Sequence, residues 1–137
     1  MKIMIDTNVI IDVYQKRGGY EKCAEVLKLS ESKKIKGCLT ASTVTDIYFI
    51  LGKHIKDDEY LRHLVQTLLT TLTLEDVYAK DVYAAFDLPM SDFEDALLAQ
   101  CAKRLNVDYI ITGNKDDFVN SPVNAFTPDD FLFKFFS

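Results

Sequence analysis

Short apolar runs alternating with stretches of helical periodicity constrain this chain more than any other feature. Lys2 to Ile5 is one such run; it ends in Asp-Thr-Asn, and Asn8 to Tyr14 then has helical character, so a buried strand feeds a helix. Gly18-Gly19 breaks the chain. Tyr20, Cys23, Ala24, Val26, Leu27 and Leu29 recur at spacings of three and four, predicting an amphipathic helix to about Lys34, closed by lysines that suit its dipole. Gly37 to Thr40 reads as a second strand and Val44 to His54 as the next helix. Asp57 to Thr70 and Glu75 to Phe86 read as two more, separated by a Thr-rich piece, Thr70 to Thr73, suited to a short strand. Ser91-Asp92-Phe93-Glu94 has capping-box spacing, which starts a helix running to about Asn106 and accounts for Glu94 as a capping group that points elsewhere. Val107 to Thr112, around Tyr109-Ile110-Ile111, resembles a parallel-sheet strand, and Val123 to Phe126 adds a fifth. Thr127-Pro128 then starts a terminal helix, Pro128 to Phe135.

Strands alternating with helices predict a central parallel sheet of four to five strands covered on both faces, a three-layer α/β/α sandwich spanning residues 1–137 as a single domain. A chain of 137 residues buries roughly 65 to 70% of its unfolded surface and needs neither disulfide nor metal to fold. Any metal would therefore serve function. Cys23, Cys38 and Cys101 are odd in number and lack CxxC spacing, which predicts reduced thiols in a cytoplasmic protein. The first residues reach Asp6 too soon for a signal peptide, and no run approaches a membrane span. With 21 acidic against 16 basic residues, and a net charge of -5, the chain is not a simple electrostatic nucleic-acid binder. Contact with RNA must be local or bridged by cations.

In open α/β sheets ligands bind outside the carboxyl ends of the strands, and the side chains expected there are mostly acids. Asp6 ends the first strand, Asp46 lies shortly after the second, Asp92 and Asp95 fall in the first turn of the helix before the fourth, and Asp116 and Asp117 follow that strand. Carboxylates sharing one small space must bind a hard cation or hold protons. A site of oxygen donors alone suits Mg²⁺ or Mn²⁺ rather than Zn²⁺. Such ions can activate water, orient a phosphodiester and stabilise a leaving oxygen, the chemistry of a metal-dependent nuclease.

Five segments in order resemble the PIN domains: MIDTNVIID at Met4 to Asp12, LTASTVTDIYFIL at Leu39 to Leu51, SDFEDALLAQCA at Ser91 to Ala102, YIITGNKDDF at Tyr109 to Phe118 and NAFTPDDFL at Asn124 to Leu132. Within that family the chain looks like the small ribonucleases that serve as toxins of toxin-antitoxin pairs, the virulence-associated protein C type. The resemblance implies a PilT N-terminus-like fold, Mg²⁺ or Mn²⁺ at a quartet of acids, hydrolysis of single-stranded RNA, an antitoxin partner and a homodimer. Asp6 matches the first acid and Asp46 the second, where Glu is more usual. Asp95 or Asp92 supplies the third, and Asp117 or Asp116 the fourth, because Asn114 occupies a place often taken by Asp. Catalysis is thus expected of Asp6, Asp46, Asp95 and Asp117, metal binding of Asp6, Asp92 and Asp95, and substrate contact of Thr7, Asn8, Thr112 and Asn114.

Each residue also has a plainer reading. Asp6 suits a helix N-cap, Asp46 and Asp92 suit a helix dipole, and Asn114 suits a turn. His54 and His63 lie on charged stretches and read as surface residues. Arg17 and several lysines read as a solvated face or an RNA path, and the Phe-rich C-terminus as core or a dimer face. The competing function is a degenerate PIN domain that binds RNA or protein without cleaving. A receiver domain would need an acid pair at the first strand, and a haloacid dehalogenase would need Asp at Asn8; both fit poorly.

Overall fold

A computed structural model describes residues 1–137. Five strands, β1 (Lys2–Ile5), β2 (Lys36–Thr40), β3 (Thr73–Glu75), β4 (Tyr109–Ile111) and β5 (Ala125–Phe126), form one sheet in the order β3-β2-β1-β4-β5. Every pairing is parallel, with Met4 opposite Cys38 on one side and Ile110 on the other. Seven helices connect them: α1 (Thr7–Gln15), α2 (Tyr20–Glu31), α3 (Ala41–Leu51), α4 (Asp58–Thr71), α5 (Ala79–Ala85), α6 (Phe93–Arg104) and α7 (Pro128–Phe136), with a 3₁₀ turn at Lys115–Phe118. The expected α/β/α sandwich is therefore present, with its fifth strand.

Side-chain alternation along the strands divides the core in two. Ile3, Ile5, Leu39 and Ile111 point to the face covered by α1 to α4 and α7, where they meet Val9, Ile10, Val26, Ile47 and Phe131. Met4, Cys38 and Ile110 point to the opposite face, against Leu98, Ala99 and Ala102 of α6. Each large aliphatic side chain fully buried in this way contributes about 1.5–3 kcal/mol. The chain runs outward from β1 to β2 and β3 with helices on the first face, then crosses to β4 with α5 and α6 on the second. Right-handed crossover requires that change of face when the direction of winding reverses. The reversal leaves a crevice beyond the carboxyl ends of β1 and β4, the place where such sheets bind ligands. Gly37 on β2 has no room for more, since a Cβ there would lie 2.7 Å from Leu72.

Several boundaries differ from those the sequence suggests. The third strand is Thr73–Glu75 rather than Thr70–Thr73, because α4 continues through Thr71 and β3 then pairs with Cys38 to Thr40. Consequently α5 is shorter than expected and begins at Ala79, its N-cap Tyr78 donating its backbone N–H to Asp81. Helix α3 starts at Ala41, not Val44, since Thr40 accepts a hydrogen bond from Thr43 N and caps it directly from the strand end. All three cysteines are buried and unpaired. No helix is long and apolar enough to cross a membrane.

Candidate active site

Asp6 is set by the junction of β1 and α1. It is the helix N-cap, in extended backbone, and its Oδ1 accepts a 2.8 Å hydrogen bond from Thr7 N. Its Oδ2 accepts from Thr112 Oγ1 at 2.8 Å and from Asn8 Nδ2 at 3.3 Å. Asn8 Oδ1 in turn accepts the Gly113 N–H at 2.9 Å, and Thr112 Oγ1 accepts that of Asn114 at 3.2 Å. A polar clasp thus ties the ends of the two strands flanking the crevice. Capping and site formation are the same act here: the carboxylate that starts α1 also faces the open end of the sheet.

Asp6, Asp46 and Asp95 line a single cavity of about 740 Å³, together with Thr7, Asn8 and Glu94. Asp46 reaches it from the second turn of α3 and Asp95 from the first turn of α6. A smaller groove at the other end of the sheet, around Lys33, Lys34 and Lys36, contains none of these acids. The large cavity brings together Asp6, Asp46 and Asp95, three of the four acids expected to be catalytic; Asp117, and the expected metal ligand Asp92, do not line it.

Their charges act on one another. Burial raises the Asp6 pKa, against the hydrogen bonds from Thr112 and Thr7 that lower it, and the charges of Asp117 and Asp92 add to the rise. Asp46 is raised by burial and then by Asp6. Asp95 is pushed up to about 7, by burial first and then by Asp92, Asp6, Asp117 and Glu94. A carboxyl so placed is short of counter-charge.

Other expected residues sit at the margin. Asp92 is exposed and is the N-cap of α6, accepting a 3.0 Å hydrogen bond from Asp95 N. The Ser91 capping box is therefore corrected: Asp is as good a cap as Ser, and the helix starts one residue later. Glu94 is released from the capping role the sequence suggests and lines the cavity, its pKa raised first by Asp46. Asp117 is exposed in the 3₁₀ turn, where its Oδ2 accepts a 2.7 Å hydrogen bond from Asn114 Nδ2. Asp116 is exposed in the same turn. Thr112 is fully buried behind Asp6, a positioning place rather than a surface for substrate. Sequence reasoning also leaves undetected the aromatic wall, Phe49 and Phe93, which helical periodicity alone assigns to no particular face.

The donor chemistry fits a hard divalent cation: oxygen only, crowded with negative charge and without His or Cys. No group of three or more His, Cys, Asp or Glu side chains is arranged as a ready-made cage.

A family model described as PIN domain matches residues 2–116. No curated protein matches significantly. Solved structures do. VapBC2 from Rickettsia felis, bound to a DNA fragment from its promoter, is 19% identical, with a TM-score of 0.71 over 93% of this chain and 98% of that one. VapBC-1 from nontypeable Haemophilus influenzae is 15% identical, with a TM-score of 0.70 over 94% and 99%. A toxin-antitoxin complex from Klebsiella pneumoniae is 18% identical, with a TM-score of 0.66 over 92% and 97%. At these identities the likeness is one of fold.

Proposed function

Because this chain belongs to the PIN-domain family, we propose that residues 1–137 form a single domain acting as a divalent-metal-dependent endoribonuclease on single-stranded RNA, the toxin of a toxin-antitoxin pair. The observation that carries this reading is the meeting of Asp6, Asp46 and Asp95 in one cavity beyond the switch in strand order.

Asp6 and Asp95 would hold Mg²⁺ or Mn²⁺, with Asp92 and Asp117 close enough in charge to favour it. A bound ion would supply charge neutralisation for the phosphodiester and acidity for its water. The protein's own part is orientation. Thr112 and Asn8 fix Asp6 by hydrogen bonds, so the carboxylate meets its ligand without losing side-chain freedom at that moment. Asp46 faces the same space from α3 and would accept a proton from a water there. Thr7 and Asn8, which line the cavity, and Asn114, exposed just past β4, would contact substrate.

The toxin-antitoxin complex from Klebsiella pneumoniae supports a protein antitoxin as partner by analogy of fold. A homodimer and a cytoplasmic location belong to the same reading.

The test is incubation of the purified protein with a mixed single-stranded RNA pool, in Mg²⁺, in Mn²⁺ and with chelator, beside Asp6→Asn. Metal-dependent cleavage that disappears in the variant is the expected result. A folded protein that cleaves under no condition would instead favour a PIN domain that binds without cutting.

A further inference from the structure

The acid-lined cavity carries one cationic side chain on its wall, Arg17. It follows Lys16, whose left-handed backbone ends α1, and precedes the Gly18-Gly19 turn. Its side chain is 53% exposed, and its ionic partner, Asp12, lies 3.9 Å from Nη1, beyond hydrogen-bond distance. Burial still raises the Asp12 pKa despite the opposing charge of Arg17, as expected of a loose pair. The guanidinium fork is therefore available.

On the same cavity wall Phe49 is 69% exposed, and Lys53 Nζ stands 4.5 Å from its ring centroid. A large aromatic ring held in water beside a cavity is a surface for something flat or apolar. The wall is otherwise hostile to polyanions, because Asp6, Asp46, Glu94 and Asp95 all face the cavity and the chain's net charge is -5. A nucleic acid needs local counter-charge there, and a planar guanidinium is well matched to phosphate oxygens. A base can lie on an exposed ring only when it is unstacked from its neighbours, which selects single strands.

We propose that Arg17 and Phe49 form a nucleotide subsite for a single-stranded polynucleotide, Arg17 taking a backbone phosphate beside the cleaved bond and Phe49 stacking a neighbouring base. This rests on the nuclease reading of the cavity and adds to it how substrate is held.

The experiment titrates a fluorescently labelled, mixed-sequence single-stranded RNA with the full chain in an Asp6→Asn background, in Mg²⁺, reading anisotropy over a range of salt. Adding Arg17→Ala should lower the slope of log affinity against log salt by about 0.7, the contribution of one phosphate contact on a single strand. Arg17→Lys should keep that slope. Phe49→Ala should weaken binding on the order of tenfold at unchanged slope, with Phe49→Tyr restoring it. Lys33→Ala, removing the same charge from the opposite end of the sheet, should leave the slope alone. In the cleaving protein both alanine variants should raise KM more than they lower kcat. A wild-type slope in Arg17→Ala, a wild-type affinity in Phe49→Ala, or an equal fall in slope in Lys33→Ala would overturn the subsite. Cleavage by the otherwise unaltered chain would then leave the nuclease reading standing. RNA neither bound nor cleaved would remove both.

Discussion

Thr112 Oγ1 donates a 2.8 Å hydrogen bond to Asp6 Oδ2, so the end of β4 holds the carboxylate that the end of β1 supplies. Thr112 is fully buried, and valine has nearly its shape. Thr112→Val should leave Asp6 Oδ2 with only the 3.3 Å contact from Asn8, costing about 1–3 kcal/mol of stability. The lost hydrogen bond is also one that lowers the Asp6 pKa. Asp6 will then ionise at higher pH, and the acidic limb of the pH–rate profile should move in the alkaline direction. A melt together with a pH–rate profile checks both; an unmoved acidic limb would detach Thr112 from the site.

Asp95, with its pKa near 7 against an ordinary 3.8, retains its proton over a window in which the unfolded chain has lost it. The folded state binds more protons there, so this residue's contribution to stability is unimpaired below about pH 4 and declines as pH rises towards 7. Asp95→Asn should abolish cleavage yet stabilise the chelated protein by roughly 1 to 2 kcal/mol near pH 8, allowing for screening at a half-exposed site. The gain should vanish towards pH 4. Denaturant titrations at the two pH values measure it, and a variant less stable at both would mean that Asp95 is structural.

The layers and the acids that meet were legible in the sequence because both follow from local patterns. Ile3, Ile5 and Ile111 declare buried strands by type, and an acid just past a strand is carried to the crevice by any open parallel sheet. Glu94 was hidden for a physical reason: Ser91 and Asp92 are both good caps, and only the backbone decides which of them starts the helix, here Asp92, which accepts the Asp95 N–H. The clasp of Asp6 and Asn8 with Thr112 and Gly113 was hidden because its two halves lie more than 100 positions apart. No local pattern reports a hydrogen bond across neighbouring strand ends. Asp117 was read as a fourth acid, but its bond with Asn114 depends on the fold of the 3₁₀ turn.

Glu94 belongs to the same crowded field of charge. Asp46 is the leading cause of its raised pKa, followed by burial and Asp92, and it lines the cavity. Glu94→Gln should weaken Mn²⁺ binding roughly tenfold, as loss of an outer carboxylate does in metal sites. The fold should be unaffected, since Asp92 and not Glu94 caps α6. Calorimetric titration with Mn²⁺ decides; an affinity equal to that of wild type would make Glu94 a solvated charge at a helix start.

Away from the cavity, α5 and α6 are clamped by an ion pair whose loss should be expensive. Arg104 Nε donates to both Asp81 oxygens, at 2.8 and 3.0 Å, and Nη2 donates to Asp76 O at 2.7 Å. The guanidinium lies 4.3 Å from the Tyr78 ring centroid, and the Asp81 side chain is wholly buried. Burial alone would raise the Asp81 pKa; hydrogen bonds from Arg104 and Tyr78 N more than offset it, and the pKa is lowered. The pair's contribution is therefore present above the ordinary Asp range and is lost as pH falls through the lowered pKa. Arg104→Met leaves a buried carboxylate without its cation, at a cost of about 3–5 kcal/mol at neutral pH. That deficit should shrink in acid, where the stranded Asp81 takes up a proton, and Asp81→Asn added to Arg104→Met should recover part of it at neutral pH. Urea denaturation of the single and double variants near pH 7 and pH 4 tests the argument, and a deficit constant with pH would mean that Arg104 acts through packing over Tyr78 rather than through charge.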